Sequence, residues 1–264
     1  MTYKCLLYDV RERIATLTLN RPDRLNALGD SLREDLYDAV LKAGTDPDVG
    51  VLVVTGAGRG FCSGGDVKSM SEREQAGAGS PANERFAPIR DRVILAMRDC
   101  PKPIIAAVNG AAAGAGMNLA LACDLRVAST TAKFAQAFSK RGLTPDWGGS
   151  YFLPRAVGMA KAAELLFTGE AIDAAEALRL GIVNAVYPAE TMMAETCKLA
   201  ARIAAGPPVA LALTKRALYR NQDVDLRAAL EFETFIQGLA RETEDYREGV
   251  RAFVEKRAPV FRGR

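Results

Sequence analysis

Residues 3–19 fall into two pieces in which apolar and polar positions alternate, the mark of half-buried strands. In the second piece Ile14, Thr16 and Thr18 face one way and Ala15, Leu17 and Leu19 the other. Over residues 30–43 the period lengthens. Leu32, Leu36, Ala39, Val40 and Ala43 lie on one stripe of a predicted helix, with Asp30 or Ser31 as N-cap and Glu34 as capping-box partner of Ser31. The apolar runs 51–54 and 104–108 predict short buried strands, and 88–99 and 114–122 predict helices. Residues 71–87 are polar and rich in Gly, Ala and Ser, which reads as a loop. Strands alternating with helices argue for stacked parallel strands with helices outside. From about residue 160 the strand pattern stops, and helices are expected at 160–167, 173–180, 190–205, 207–220, 225–242 and 245–256.

Composition narrows the possibilities. A chain of 264 residues with 49% hydrophobic content can bury a full core as one large domain, or as one domain with an extension. A net charge of +3 without a basic stripe gives no polyanion footprint. Cys5, Cys62, Cys100, Cys123 and Cys197 are odd in number and form no CxxC or zinc pattern, so a reducing cytoplasm is expected. The start of the chain has no signal-peptide pattern, and no apolar stretch of about 20 residues is present. Histidine is absent. That excludes Ser-His-Asp and Cys-His catalysis and histidine-bound metals, and leaves acid–base work to carboxylates, Lys, Tyr or Cys.

Two glycine-rich stretches follow strand-like runs and lead into helix-like ones: Phe61-Cys62-Ser63-Gly64-Gly65-Asp66-Val67, and Asn109-Gly110-Ala111-Ala112-Ala113-Gly114-Ala115-Gly116-Met117-Asn118-Leu119. Such turns expose free backbone N–H groups. Two of them aimed at one point would cradle a developing oxyanion; each alone is also compatible with tight turns and close packing.

With Asn20-Arg21-Pro22-Asp23-Arg24-Leu25-Asn26-Ala27-Leu28, Lys102-Pro103-Ile104-Ile105-Ala106-Ala107-Val108-Asn109-Gly110, Ala122-Cys123-Asp124-Leu125-Arg126, Ala132-Lys133-Phe134 and Gly142-Leu143-Thr144-Pro145-Asp146-Trp147-Gly148-Gly149, these stretches resemble the crotonase superfamily, the enoyl-CoA hydratase/isomerase family, over nearly the whole chain. The resemblance implies an α/β fold, a crotonase-like ββα spiral core with a C-terminal helical region. The core is expected over residues 1–200, and a helical region building a trimer or a dimer of trimers over 201–264.

The resemblance places the oxyanion donors on the backbone N–H groups of Gly65 and Ala115. It places the two glutamates of hydratase members at Asn118 and Phe138, so both are missing here. Isomerase members carry an acid at Asp146, and Gly142 to Gly149 followed by Phe152-Leu153-Pro154-Arg155 is similar to the ring-1,2-epoxyphenylacetyl-CoA isomerase type. Asp146 is therefore the expected proton shuttle, its pKa raised by burial beside Trp147 and Phe138. The competing reading makes it a cap for a helix starting near Ser150. Asn118 is expected to orient the thioester or to be a polar pocket residue without a role.

Acyl-CoA binding is assigned by the resemblance to Arg24 and Lys256, with Lys68 a weaker candidate, and to the backbone from Cys62 through Ser63 to Gly64 at the adenine. Asp66 and Asp124 are read as structural, and Glu72 and Glu74 as solvated. No metal or redox cofactor is implied, only acyl-CoA as substrate. The resulting expectation is an enoyl-CoA isomerase working through a thioester enolate. The alternatives are an enoyl-CoA hydratase and a non-catalytic acyl-CoA or RNA binder, and the missing histidine argues against the family's halogen-removing branch.

Overall fold

The computed structural model describes residues 3–66, 75 and 88–264. The early alternation forms a hairpin of β1 (Leu6–Arg11) and β2 (Ile14–Leu19), with Leu6 opposite Leu19 and Arg11 opposite Ile14. Glu12 and Arg13 turn the chain at φ 50° and 65°, both positive as the tightest hairpins require. After α1 (Leu32–Thr45), strand β3 (Val51–Gly56) joins β2 in parallel.

From there the chain repeats one move. Each long strand of the first sheet steps down to a short strand of a second sheet and then climbs back through helix. Thus β3 leads to β4 (Gly60–Cys62) and later α2 (Ile89–Asp99); β5 (Ile104–Val108) leads to β6 (Ala111–Ala113) and α3 (Ala115–Ala122). Strand β7 (Leu125–Ser129) leads to β8 (Lys133–Ala135), α4 (Gly149–Val157) and α5 (Met159–Thr168). Then come β9 (Ala171–Asp173), α6 (Ala174–Arg179), β10 (Ala185–Tyr187) and the helices α7 (Ala189–Ala204), α8 (Pro208–Arg220), α9 (Leu226–Arg241) and α10 (Glu244–Glu255). Among the described residues the long sheet runs β1-β2-β3-β5-β7-β10 and the short one β4-β6-β8-β9. This is the expected ββα spiral.

Strands β3 and β5, in the middle of the long sheet, are buried on both faces, which is why they read as unbroken apolar runs, whereas the edge strand β1 alternates buried with more exposed positions. One face, with Leu17, Leu52, Val54, Ile104 and Ala106, joins the main core shared with α1 to α6. The other face, with Ile14, Val51, Val53, Ile105 and Val127, packs against Met192, Ala200 and Ala204 of α7.

The sequence reading needs two corrections here. Strands do not stop at residue 160: β9 pairs with β8, and β10 with β7. The capping box on α1 does not form, because the Ser31 hydroxyl bonds the Asp35 carboxylate at 3.0 Å and caps no backbone N–H. Among the described residues no helix is long and apolar enough to cross a membrane.

Candidate active site

The two glycine-rich turns meet. Gly64 sits at φ +92°, and a Cβ there would fall 2.6 Å from the Ala113 oxygen and 3.3 Å from the Ala115 nitrogen. Glycine is thus required both for the conformation and for the approach. Gly116 is pressed still closer, since a Cβ on it would lie 2.0 Å from the Cys62 carbonyl oxygen. Leu28 N–H donates to Gly64 O at 2.8 Å and pins the first turn from its other side. Among the described residues neither the Gly65 nor the Ala115 N–H has an acceptor. Ala115 opens α3, every residue of which is buried, and its nitrogen lies 3.3 Å from where a Gly64 Cβ would be, so the positive end of the helix abuts the Gly64–Gly65 turn.

Asn118 lies on the same face of α3, three positions after Ala115. It is fully buried. Its Nδ2 donates to the Asp146 carbonyl at 2.8 Å, and its Oδ1 accepts from Gln136 Nε2 at 2.7 Å. The side chain therefore ties α3 to the turn that carries Asp146. Phe138, at the other position where hydratase members have a glutamate, lays its ring 3.5 Å from where a Gly114 Cβ would be. It lays apolar surface against the Gly114 turn.

Asp146 begins a tight turn. Gly149 N–H closes on its carbonyl at 3.0 Å, with Trp147 at φ +51° and Gly148 at +75° between them. A buried tryptophan in the left-handed region is uncommon, and such strain gathers at functional sites. The capping reading fails: α4 starts at Gly149 behind Gly148 and has no side-chain cap. Instead Asp146 Oδ1 is buried and has no hydrogen-bond partner among the described residues. Burial raises the carboxyl above its ordinary range, as expected; Arg90 and its own backbone N–H pull the other way, and Asp91 adds a smaller upward push.

The remaining candidates separate by surroundings. Cys62 is inert: its thiol donates to Asn26 O at 3.0 Å, and burial pushes its pKa up to about 12. Ser63 N–H donates to Leu25 O at 2.9 Å and its hydroxyl to Arg24 O at 3.2 Å, which places the exposed Arg24 beside the Cys62–Gly64 turn. Lys256 is exposed at the end of α10, at φ +54°. Asp66 is paired with the buried Arg21 at 2.9 Å, and Asp124 with Lys215 at 2.8 Å, so both are structural as read. Lys68, Glu72 and Glu74 lie outside the described residues.

Sequence reasoning missed Gln136, which directly follows β8 and is buried, and the Arg90-Asp91 pair at the start of α2. A polar side chain directly after the Ala132-Lys133-Phe134-Ala135 stretch was the available signal for the first. The second has none, because its approach to Asp146 is purely tertiary.

The enoyl-CoA hydratase/isomerase family model matches residues 9–264. A 1,2-epoxyphenylacetyl-CoA isomerase of Escherichia coli is 38% identical over 259 residues, covering 98% of each chain. A crotonyl-CoA hydratase of Syntrophomonas wolfei is 37% identical over 262 residues, covering 99% of each. The crystal structure of an enoyl-CoA hydratase/isomerase from Cupriavidus metallidurans superposes with a TM-score of 0.91 at 34% identity, covering 100% of this chain and 98% of that one.

Proposed function

The chain belongs to the enoyl-CoA hydratase/isomerase family, and from that premise we propose that it is an enoyl-CoA isomerase in which Asp146 shuttles a proton across a thioester enolate. In this reading the thioester oxygen sits between the Gly65 and Ala115 N–H groups. Asp146 removes a proton from C2, and the electron pair spreads from C2 through the carbonyl onto oxygen. The same carboxyl returns the proton to C4, so a 3,4 double bond becomes a 2,3 double bond. A related rearrangement of a ring epoxide uses the same enolate. One base and two donors suffice, and the chemistry calls for no cofactor beyond acyl-CoA itself. Each N–H of such a pair supplies about 3–4 kcal/mol of transition-state stabilisation.

The observation that carries this reading is the buried Oδ1 of Asp146, without a hydrogen-bond partner among the described residues, in a chain that holds Asn118 and Phe138, which cannot titrate, at the two glutamate positions of hydratase members. Hydration needs one group to activate water and another to manage the α-proton. Hydratase is the second reading, favoured by the names of relatives such as the crotonyl-CoA hydratase. Arg24, Lys256 and the Cys62–Gly64 backbone fit binding of the CoA moiety. We further infer that α9 and α10 pack against other copies in a trimer or a dimer of trimers. Leu226, Phe235, Phe253 and Val254 there are between 61% and 86% exposed.

The test is to supply purified protein with 3-enoyl-CoA and with crotonyl-CoA. Double-bond migration with little hydration is expected, and Asp146→Asn should lower migration by about 100-fold or more. Rapid hydration of crotonyl-CoA with no migration would decide for the hydratase, and near-normal migration by Asp146→Asn would remove that residue as the base.

A further inference from the structure

The Asp146 carbonyl accepts two hydrogen bonds, from Gly149 N–H at 3.0 Å and from Asn118 Nδ2 at 2.8 Å. A carbonyl oxygen can only accept, so the Asn118 atom facing it must be the donor nitrogen. Oδ1 then faces Gln136, which must in turn present Nε2, at 2.7 Å. The orientation of both amides is thus dictated from the Asp146 peptide outward, and both side chains are at most 1% exposed. Gly149 is part of the fit: a Cβ there would fall 2.3 Å from Asn118 Nδ2. The turn so gripped holds Trp147 at φ +51°, a conformation that persists only when the surroundings enforce it.

From this juxtaposition we propose that Gln136 and Asn118 are positioning residues, an amide relay that fixes Asp146 relative to the oxyanion donor on Ala115. The inference rests on the reading of Asp146 as the base. Because Ala115 and Asn118 belong to one rigid helix, the relay sets the distance between the group that stabilises the enolate and the group that moves its proton. Asn118 therefore stands at the family's glutamate position as a structural lock for a different acid. A glutamate at 118 would present an acceptor to the Asp146 carbonyl and undo the lock.

The experiment is a double-mutant cycle of Gln136→Met and Asp146→Asn, read as kcat and KM for 3-enoyl-CoA migration together with thermal melting. Gln136→Met keeps volume but removes the donor to Asn118 Oδ1, so that the buried amide is held at one end only. It should lower kcat by about 100-fold, the scale of a misplaced catalytic group, with KM changed by less than about 3-fold. In the Asp146→Asn background the same substitution should cost nothing further, because the group it positions is gone. If Gln136→Met does not fold, Gln136→Asn, which retracts the amide by one methylene, carries the same readout. Losses that multiply in the double variant, or an unchanged kcat in the single one while Asp146→Asn is inactive, would overturn the relay and leave Asp146 as the base. An active Asp146→Asn would overturn the base assignment and the relay with it.

Discussion

At the foot of β5, Asp124 has its oxygens filled. Ile104 N–H donates to Oδ2 at 2.7 Å, the Lys215 ammonium stands 2.8 Å from the same oxygen, and the Tyr219 hydroxyl donates to Oδ1. Before α4, Asp146 is held just as firmly, but by its backbone: two donors grip its carbonyl while Oδ1 is left without a partner among the described residues. Both carboxylates are half-buried and both sit inside family motifs. What separates them is where the hydrogen bonds go. A side chain whose acceptors are saturated joins elements together, as Asp124 joins α8 to the long sheet. One whose backbone is pinned and whose oxygen is spare is available for proton transfer.

The sharpest break in this comparison comes from Asp124→Ala. It strands the Lys215 ammonium, 7% exposed, with only the Met97 and Lys102 carbonyls at 3.1 and 3.0 Å. Removing one partner of a buried pair costs about 3–5 kcal/mol, so chemical denaturation should show a loss of that size, while kcat of the protein that remains folded stays unchanged. A variant as stable as the parent would mean that saturation of the carboxylate is not what makes it structural.

Asp146→Asn should do the opposite to stability. The folded-state pKa of Asp146 is raised by burial. The folded protein thus binds the proton more readily than the unfolded chain, and stability falls as pH rises through that window. At neutral pH the ionised carboxylate is a burden on the fold, and the asparagine removes it. Melting temperature should therefore rise in Asp146→Asn at pH 7, with the gap closing below the ordinary aspartate value of about 3.9. In the parent, turnover should fall on acidification with an apparent pKa above that value. A variant that melts lower at pH 7 would place Asp146 with Asp124 among the structural carboxylates.

The smallest effect concerns Cys62, saturated like Asp124 but carrying a nucleophile. With its thiol buried, bonded to Asn26 O and titrating at about 12, it should stay unmodified when native protein is treated with iodoacetamide at about pH 8, and react on unfolding. Peptide mapping by mass spectrometry reads the result, and fast native labelling would contradict the saturated environment.

Much of this was legible in the chain. The hairpin and the six C-terminal helices follow from periodicity, because an element that buries one face must repeat its apolar residues at the element's own period, while β3 and β5, buried on both faces, follow from unbroken apolar runs. The glycine turns were legible too, since Gly64 has neither the room nor the φ for a side chain. Only the tertiary structure decided the rest. Strands β8, β9 and β10 are three residues long, too short to carry a period, and exist because a neighbouring strand supplies their hydrogen bonds. The carboxylates divide for the same reason. Asp124 meets Tyr219 from 95 residues away and Asp146 meets Asn118 from 28. A side chain's partners are set by which atoms the fold brings within hydrogen-bond reach, and no local pattern in the sequence encodes that distance.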